Sequence, residues 1–230
     1  FMHKISVIRY LFGLYLLGFI VMTLHAEEKS DNFIYVKELI PSLKQDMRYF
    51  TANNFVGRPI QGYKKPVCIL SISATNALLK VQTVLSKKNL GLLVFDCYRP
   101  QMAVDDFIQW SQNPDEQQMK NLYYPHIDKT DLFKLNYIAR RSGHTRGSTV
   151  DLTIIDLDTQ QTLDMGTAYD FMDPLSHPAN RDISPEQFKN RMLLRTLMLR
   201  FGFRPIETEW WHFTLRDEPY KNTYFNFFVE

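Results

Sequence analysis

The sequence has no run rich in lysine and arginine, and its 27 Lys+Arg against 25 Asp+Glu leave a formal charge of only +2 over 230 residues. That excludes the electrostatic footprint of a nucleic-acid or other polyanion binder. Internal repeats, low-complexity tracts and Gly/Ser linkers are also missing, so residues 27–230 read as one domain. With 45% hydrophobic and 23% charged residues, neither a disordered nor a collagen-like chain fits. Cysteine is scarce, at two residues, Cys68 and Cys97. If they pair, a closed loop of about 30 residues contributes on the order of 3–4 kcal/mol in the chain-entropy model. Two buried free thiols fit the sequence equally well.

One local absence is informative. From Tyr10 to Ala26 there is no Asp, Glu, Lys or Arg over 17 residues, and this stretch follows His3, Lys4 and Arg9. A basic start, an apolar middle and a small residue at Ala26 have the order of a secretory signal peptide. At about 1.5 Å per residue such a segment reaches about 26 Å, short of the roughly 30 Å hydrocarbon core, which favours a signal cleaved after Ala26 over the alternative of an uncleaved anchor, and no stable membrane span is expected after cleavage. The reading is a signal at residues 1–26 and export across the inner membrane into the periplasm. Losing Lys4 and Arg9 leaves residues 27–230 with no net charge.

What is present in residues 27–230 is a mixture of helical and strand patterns. Ala74, Ala77, Leu78, Val81 and Leu85 recur at helical spacing, predicting a helix over 73–87 behind a serine cap. Leu92–Phe95 reads as a buried strand, and Pro100 opens a helix running to about Gln112. Val150–Ile154 alternates as a strand, Pro185–Phe201 reads as a long helix stopped by Gly202, and Trp210–Leu215 is strand-like. The fold class expected is α+β, with a central, mostly antiparallel sheet flanked by helices.

Four histidines lie in this region, two of them in dense polar contexts. In Ser142-Gly-His144-Thr-Arg-Gly-Ser-Thr-Val-Asp151, an imidazole and a carboxylate are separated by a glycine turn that leads into a strand. In Glu209-Trp-Trp-His212, a carboxylate precedes an imidazole by three positions. His144, Asp151 and His212 form a donor set suited to catalytic zinc, which takes three protein ligands and leaves one position for water. Glu209 is then the spare carboxylate, able to move the proton of that water. Residues three apart in a regular strand face opposite sides, so Glu209 and His212 converge only if the backbone bends near Trp210. Each motif taken singly also fits a structural histidine or a strand-edge cap. Arg99, in Asp96-Cys-Tyr-Arg99-Pro, suits a fork onto an oxyanion, or equally a capping pair with Asp105 or Asp106.

Residues 142–151 and 209–212 with Arg99 resemble the D-alanyl-D-alanine dipeptidases of the VanX type. These are zinc enzymes in the wider group that includes D-Ala-D-Ala carboxypeptidases and the hedgehog signalling domain. The likeness extends over residues 39–230 and takes in Tyr49-Phe50, Gly62-Tyr63, Tyr123-Tyr124-Pro125, Met165-Gly166-Thr167 and the block Leu215–Tyr220. It implies one Zn2+ per chain held by His144, Asp151 and His212, with Glu209 as catalytic base and Arg99 stabilising the tetrahedral intermediate. It further implies a small zwitterionic dipeptide, its carboxylate met by Tyr63 and Ser142 and its ammonium by Asp170. Thr149 departs from the family motif, which usually has Ala there. Within the resemblance, hydrolysis of D-Ala-D-Ala leads; a D,D-carboxypeptidase acting on muropeptides and a non-catalytic, zinc-containing binding module are the alternatives.

Overall fold

The computed structural model describes residues 29–230, and the export segment read at residues 1–26 lies outside them. Seven strands and five helices occur among these residues: β1 (Phe33–Tyr35), α1 (Val36–Leu39), β2 (Lys44–Gln45), β3 (Ile69–Ser71), α2 (Ile72–Ser86), β4 (Leu90–Asp96), α3 (Gln101–Gln112), α4 (Lys120–Tyr123), β5 (Thr149–Asp156), α5 (Pro185–Arg200), β6 (Phe203–Pro205) and β7 (His212–Leu215). The main sheet has the order β2-β4-β5-β7-β6, and β1 and β3 form a separate antiparallel pair. Only β2 joins the main sheet in parallel; the other neighbours are antiparallel, as the α+β reading expects.

The helices follow from their sequence signals. Ser71, rather than a residue inside the predicted span, caps α2 by accepting from the Ala74 amide, so the helix starts at Ile72. Its stripe of Ala74, Leu78, Val81 and Leu85 packs with Leu194 and Met198 of α5 on Val150, Leu152 and Ile154 of β5. Alternate residues of a strand face opposite ways, so this packing turns Asp151 to the other side of the sheet. Helix α5 begins with a reciprocal capping box between Ser184 and Gln187 and with Pro185 in its first turn. Its Arg191 is enclosed and donates to the carbonyls of Met165, Leu175 and His177, tying down the loop that carries Asp170.

The strand predicted over 210–215 begins only at His212, because the chain bends at Trp210 and Trp211. That bend is the irregularity the Glu209 to His212 spacing requires. The two cysteines are joined in a disulfide, with Cα atoms 5.3 Å apart. An aromatic cluster lies beside the sheet: Phe33 meets Phe225 and Phe227 edge-on, and Phe227 stacks on Tyr98. None of the helices among the described residues is long and apolar enough to cross a membrane.

Candidate active site

Strand register assembles the site. Asp151 of β5 lies directly opposite His212 of β7 on one side and Asp96 of β4 on the other. Residues directly opposite in a ladder put their side chains on the same face, so Asp96, Asp151 and His212 form a row across three strands. The β4 register shifts between Val94 and Asp96, which is what brings Asp96 into that row.

His144 arrives from outside the sheet, on a 3-10 turn, His144–Arg146, that ends at Gly147 with φ 79°. The turn is secured by Arg146, which pairs with Glu218 through Nε at 2.8 Å and Nη2 at 2.9 Å, and by the Phe225 amide donating to the Thr145 carbonyl. His144 Nδ1 lies 2.7 Å from the carbonyl oxygen of Cys97. A carbonyl only accepts, so Nδ1 carries the proton and Nε2 offers its lone pair to the site.

The facing donor atoms are evenly spaced. His144 Nε2 is 3.3 Å from His212 Nδ1 and 3.3 Å from Asp151 Oδ2, and His212 Nδ1 is 3.1 Å from Asp151 Oδ1. A tetrahedral zinc ion bonded at about 2.0–2.1 Å separates its donors by about 3.3 Å. Asp151 Oδ1 is enclosed and has no hydrogen-bond partner, as suits an oxygen reserved for a cation. The three residues form a group able to hold a metal, and their chemistry fits zinc.

Charge points the same way. Asp96, Asp151 and Asp170 are enclosed, Glu209 is nearly so, and Arg99 is the guanidinium among them. Burial opposes the charge on Asp151, yet the His144 and His212 imidazoles hold its carboxyl below the usual carboxylate range. Burial and the Asp151 and Asp170 charges instead lift Glu209 well above its ordinary value. Burial, then Asp151, pushes Asp170 up to about 8. A site with surplus carboxylates that resist ionising is one that a divalent cation relieves.

Glu209 Oε2 lies 3.5 Å from His212 Nδ1, on the far side of the bend, so the spare carboxylate does converge on the donor set. Arg99 does not pair with Asp105 or Asp106, since Gln101 occupies Asp105 and Arg58 grips Asp106 with two bonds. Its Nε and Nη2 instead reach Asp96 Oδ2 at 2.9 and 2.8 Å, and Nη2 is 3.8 Å from Asp151. Arg99, Ser142, His144, Asp151, Asp170, Glu209 and His212 all line one cavity of about 180 Å³. That is below the roughly 300–1,000 Å³ of sites for drug-sized ligands, so the occupant is small. Tyr49, Phe55, Phe107, Tyr137 and Met172 supply apolar surface and rings to the same cavity.

Tyr63 is the residue placed differently from expectation. It does not line the cavity; its hydroxyl donates to Asp96 Oδ1 at 2.7 Å, behind Arg99. Asp96 thus receives Tyr63 and Arg99 and lies 3.4 Å from His144 Nδ1, a positioning role that sequence reasoning missed although Asp96 stands in the quoted motif. Tyr49 and Tyr169 were missed as well. Tyr49 donates to Asp170 Oδ2 at 2.9 Å, Tyr169 reaches Asp151 Oδ2 at 3.1 Å, and the two phenol oxygens are 3.2 Å apart. Ser142 accepts from the His144 amide and keeps its own hydrogen for the cavity. The Thr149 hydroxyl is engaged with Thr214 at 2.8 Å across β5 and β7, so the departure from Ala is absorbed inside the sheet.

Two imidazoles and a carboxylate at tetrahedral spacing, with a further carboxylate and a guanidinium in a small cavity, make a donor set able to hold a metal ion beside groups that can move a proton, as a hydrolase of small substrates needs. The family model described as D-ala-D-ala dipeptidase matches residues 29–230, and the chain belongs to that family. It is 40% identical to the D-alanyl-D-alanine dipeptidase of Enterococcus faecium over 198 residues, covering 86% of this chain and 98% of the relative. The dipeptidase of Streptomyces coelicolor is 41% identical with the same coverage. That of Escherichia coli is 33% identical over 77% of this chain and 81% of its own.

Proposed function

We propose that the protein hydrolyses the free dipeptide D-Ala-D-Ala to two D-alanines outside the cytoplasm, with one zinc ion held by His144, Asp151 and His212. When bound, zinc supplies a Lewis acid and lowers the pKa of a water molecule. Glu209 takes the proton of that water and returns it to the leaving amine. The Arg99 guanidinium, fixed by Asp96, stands where charge grows on the scissile carbonyl oxygen. Ser142 donates to the substrate carboxylate and Asp170 receives its ammonium, with Tyr63 acting one step removed through Asp96.

The observation that carries this reading is the small cavity of about 180 Å³ with Asp170 enclosed in its wall and held by Tyr49. A carboxylate buried there needs a cation, and the free amino group of a dipeptide is one. An acylated amine leaves that carboxylate unpaired, which disfavours longer peptides. The disulfide supports placement in an oxidising compartment. There the substrate is dipeptide released from peptidoglycan, so recycling or remodelling of the wall fits the location.

The test is an assay of zinc-loaded protein against D-Ala-D-Ala, L-Ala-L-Ala and N-acylated D-Ala-D-Ala, with turnover expected for the first alone. Cleavage of the acylated peptide would move the reading to a D,D-carboxypeptidase, and zinc binding without turnover to a binding module. Glu209→Gln should lower kcat by about 10²–10⁴-fold while retaining zinc in a metal titration. Cell fractionation finding the protein in the cytoplasm would overturn the location.

A further inference from the structure

The Cys68–Cys97 disulfide lies directly behind the site. Cys68 adjoins β3, Cys97 follows β4, and both are enclosed, at 1% and 0% exposure. Past Asp96 the chain has left the β4–β5 ladder, whose last pair is Asp96 with Asp151. The segment Cys97–Arg99 is held instead by Tyr98 N donating to Ile69 O at 2.9 Å, by the Tyr98 hydroxyl bonding the Phe227 backbone at 3.0 Å, by the Arg99 side chain on Asp96 and by a long bond of 3.4 Å from Arg99 N to His144 O. Yet this short segment does two things for the site. The Cys97 carbonyl receives His144 Nδ1 and so sets the ring's tautomer and direction, and two residues on it presents Arg99.

We propose that the disulfide is a positioning brace for the metal ligand His144, so that tight zinc binding requires the Cys68–Cys97 bond to be made. The physical reason is leverage. β3 pairs with β1 in a sheet of its own, and the crosslink ties that pair to the end of β4 at the residue whose carbonyl orients the ligand. A partner that fixes a ligating histidine governs metal affinity about 10–100-fold. Making the bond removes two protons and two electrons from the thiols, and a disulfide-bearing oxidant of the exported compartment accepts them by exchange. The inference rests on the zinc site proposed above, and it makes export a condition of full metal occupancy.

Cys68→Ala/Cys97→Ala and the intact protein are compared by competitive zinc titration against a chromophoric chelator, with far-UV circular dichroism recording the fold. A folded double variant should bind zinc about 10–100-fold more weakly and lose kcat more than it gains KM. As a second arm, the zinc-loaded intact protein is titrated with a water-soluble trialkylphosphine, which presents no thiol to the zinc; it gives two electrons to the disulfide and becomes the phosphine oxide, with water supplying the oxygen and the two thiol protons. Zinc should leave with loss of the disulfide and ahead of loss of ellipticity. Unchanged zinc affinity in a folded variant, or zinc lost only together with the fold, would overturn the brace. If the intact, oxidised protein binds no zinc, it is the zinc site itself that fails.

Discussion

Asp170 and Glu209 are acids kept where their charge is disfavoured, and the consequence differs for each. Glu209 stands next to the donor set, so its proton affinity belongs to the reaction. Asp170 lies further along the wall, its backbone in the left-handed region at φ 59° and its carboxyl pushed up to about 8 by burial and by Asp151. Between an unfolded aspartate near 3.9 and that value, the folded protein keeps a proton the unfolded chain has released. Stability contributed by the protonated form is therefore present at low pH and is lost as pH rises toward 8. Thermal melts of the metal-free protein from pH 5 to 8 should show Tm falling with pH, and Asp170→Asn should flatten that slope. An unchanged slope would mean that Asp170 is ionised in the empty site.

Among the elements, the 3-10 turn that presents His144 is the most exacting. Gly147 closes it at φ 79°, and a Cβ at that position would run into the Phe33 ring. The left-handed conformation alone costs an L-residue about 1–2 kcal/mol, and the ring contact adds to it. Gly147→Ala should therefore lower the denaturant midpoint by more than that conformational cost and weaken zinc binding, both readable in one titration series. The sequence signals of the long elements were legible because breakers and periodicity act locally: Pro100 and Pro185 stand at helix starts and Gly202 follows one, while the cap of α2 at Ser71 shifted its start. The strand at Trp210 was overextended for the same reason. Two buried tryptophans look like a strand locally, while the bend that turns Glu209 toward His212 is imposed by packing.

At the scale of the molecule, charge is local rather than global. Residues 27–230 carry no net charge, and the excess of acid is concentrated at one end of the β4-β5-β7 row. A bound divalent ion therefore stabilises the fold by mass action, on the order of 4 kcal/mol at a thousandfold excess over its dissociation constant. Adding a chelator to the zinc-loaded protein should lower Tm, and restoring zinc should recover it; equal melting with and without zinc would exclude a tight site. The C-terminal segment extends the same logic outward. Glu218 and Phe225 reach back to the His144 turn, so truncating that tail acts on the candidate site from a distance.

By itself the sequence offered the chemistry: His144, Asp151, His212, Glu209 and Arg99 stand in motifs whose residue types suit a metal-assisted hydrolysis, and it was the family resemblance that favoured this over structural histidines and a capping arginine. It also determined the main helices and strands, because their signals lie within a few residues of one another. Three matters were decided only in three dimensions. Register across β4, β5 and β7 brought Asp96 into the row and made it the partner of Arg99 and Tyr63. Approach of Cys68 to Cys97 depended on where β3 begins and β4 ends. The place of Tyr63, behind the cavity instead of in its wall, followed from the Asp96 carboxylate claiming its hydroxyl. Each is a contact between residues far apart in the chain, and the energy that selects it is packing and hydrogen bonding that no local pattern encodes.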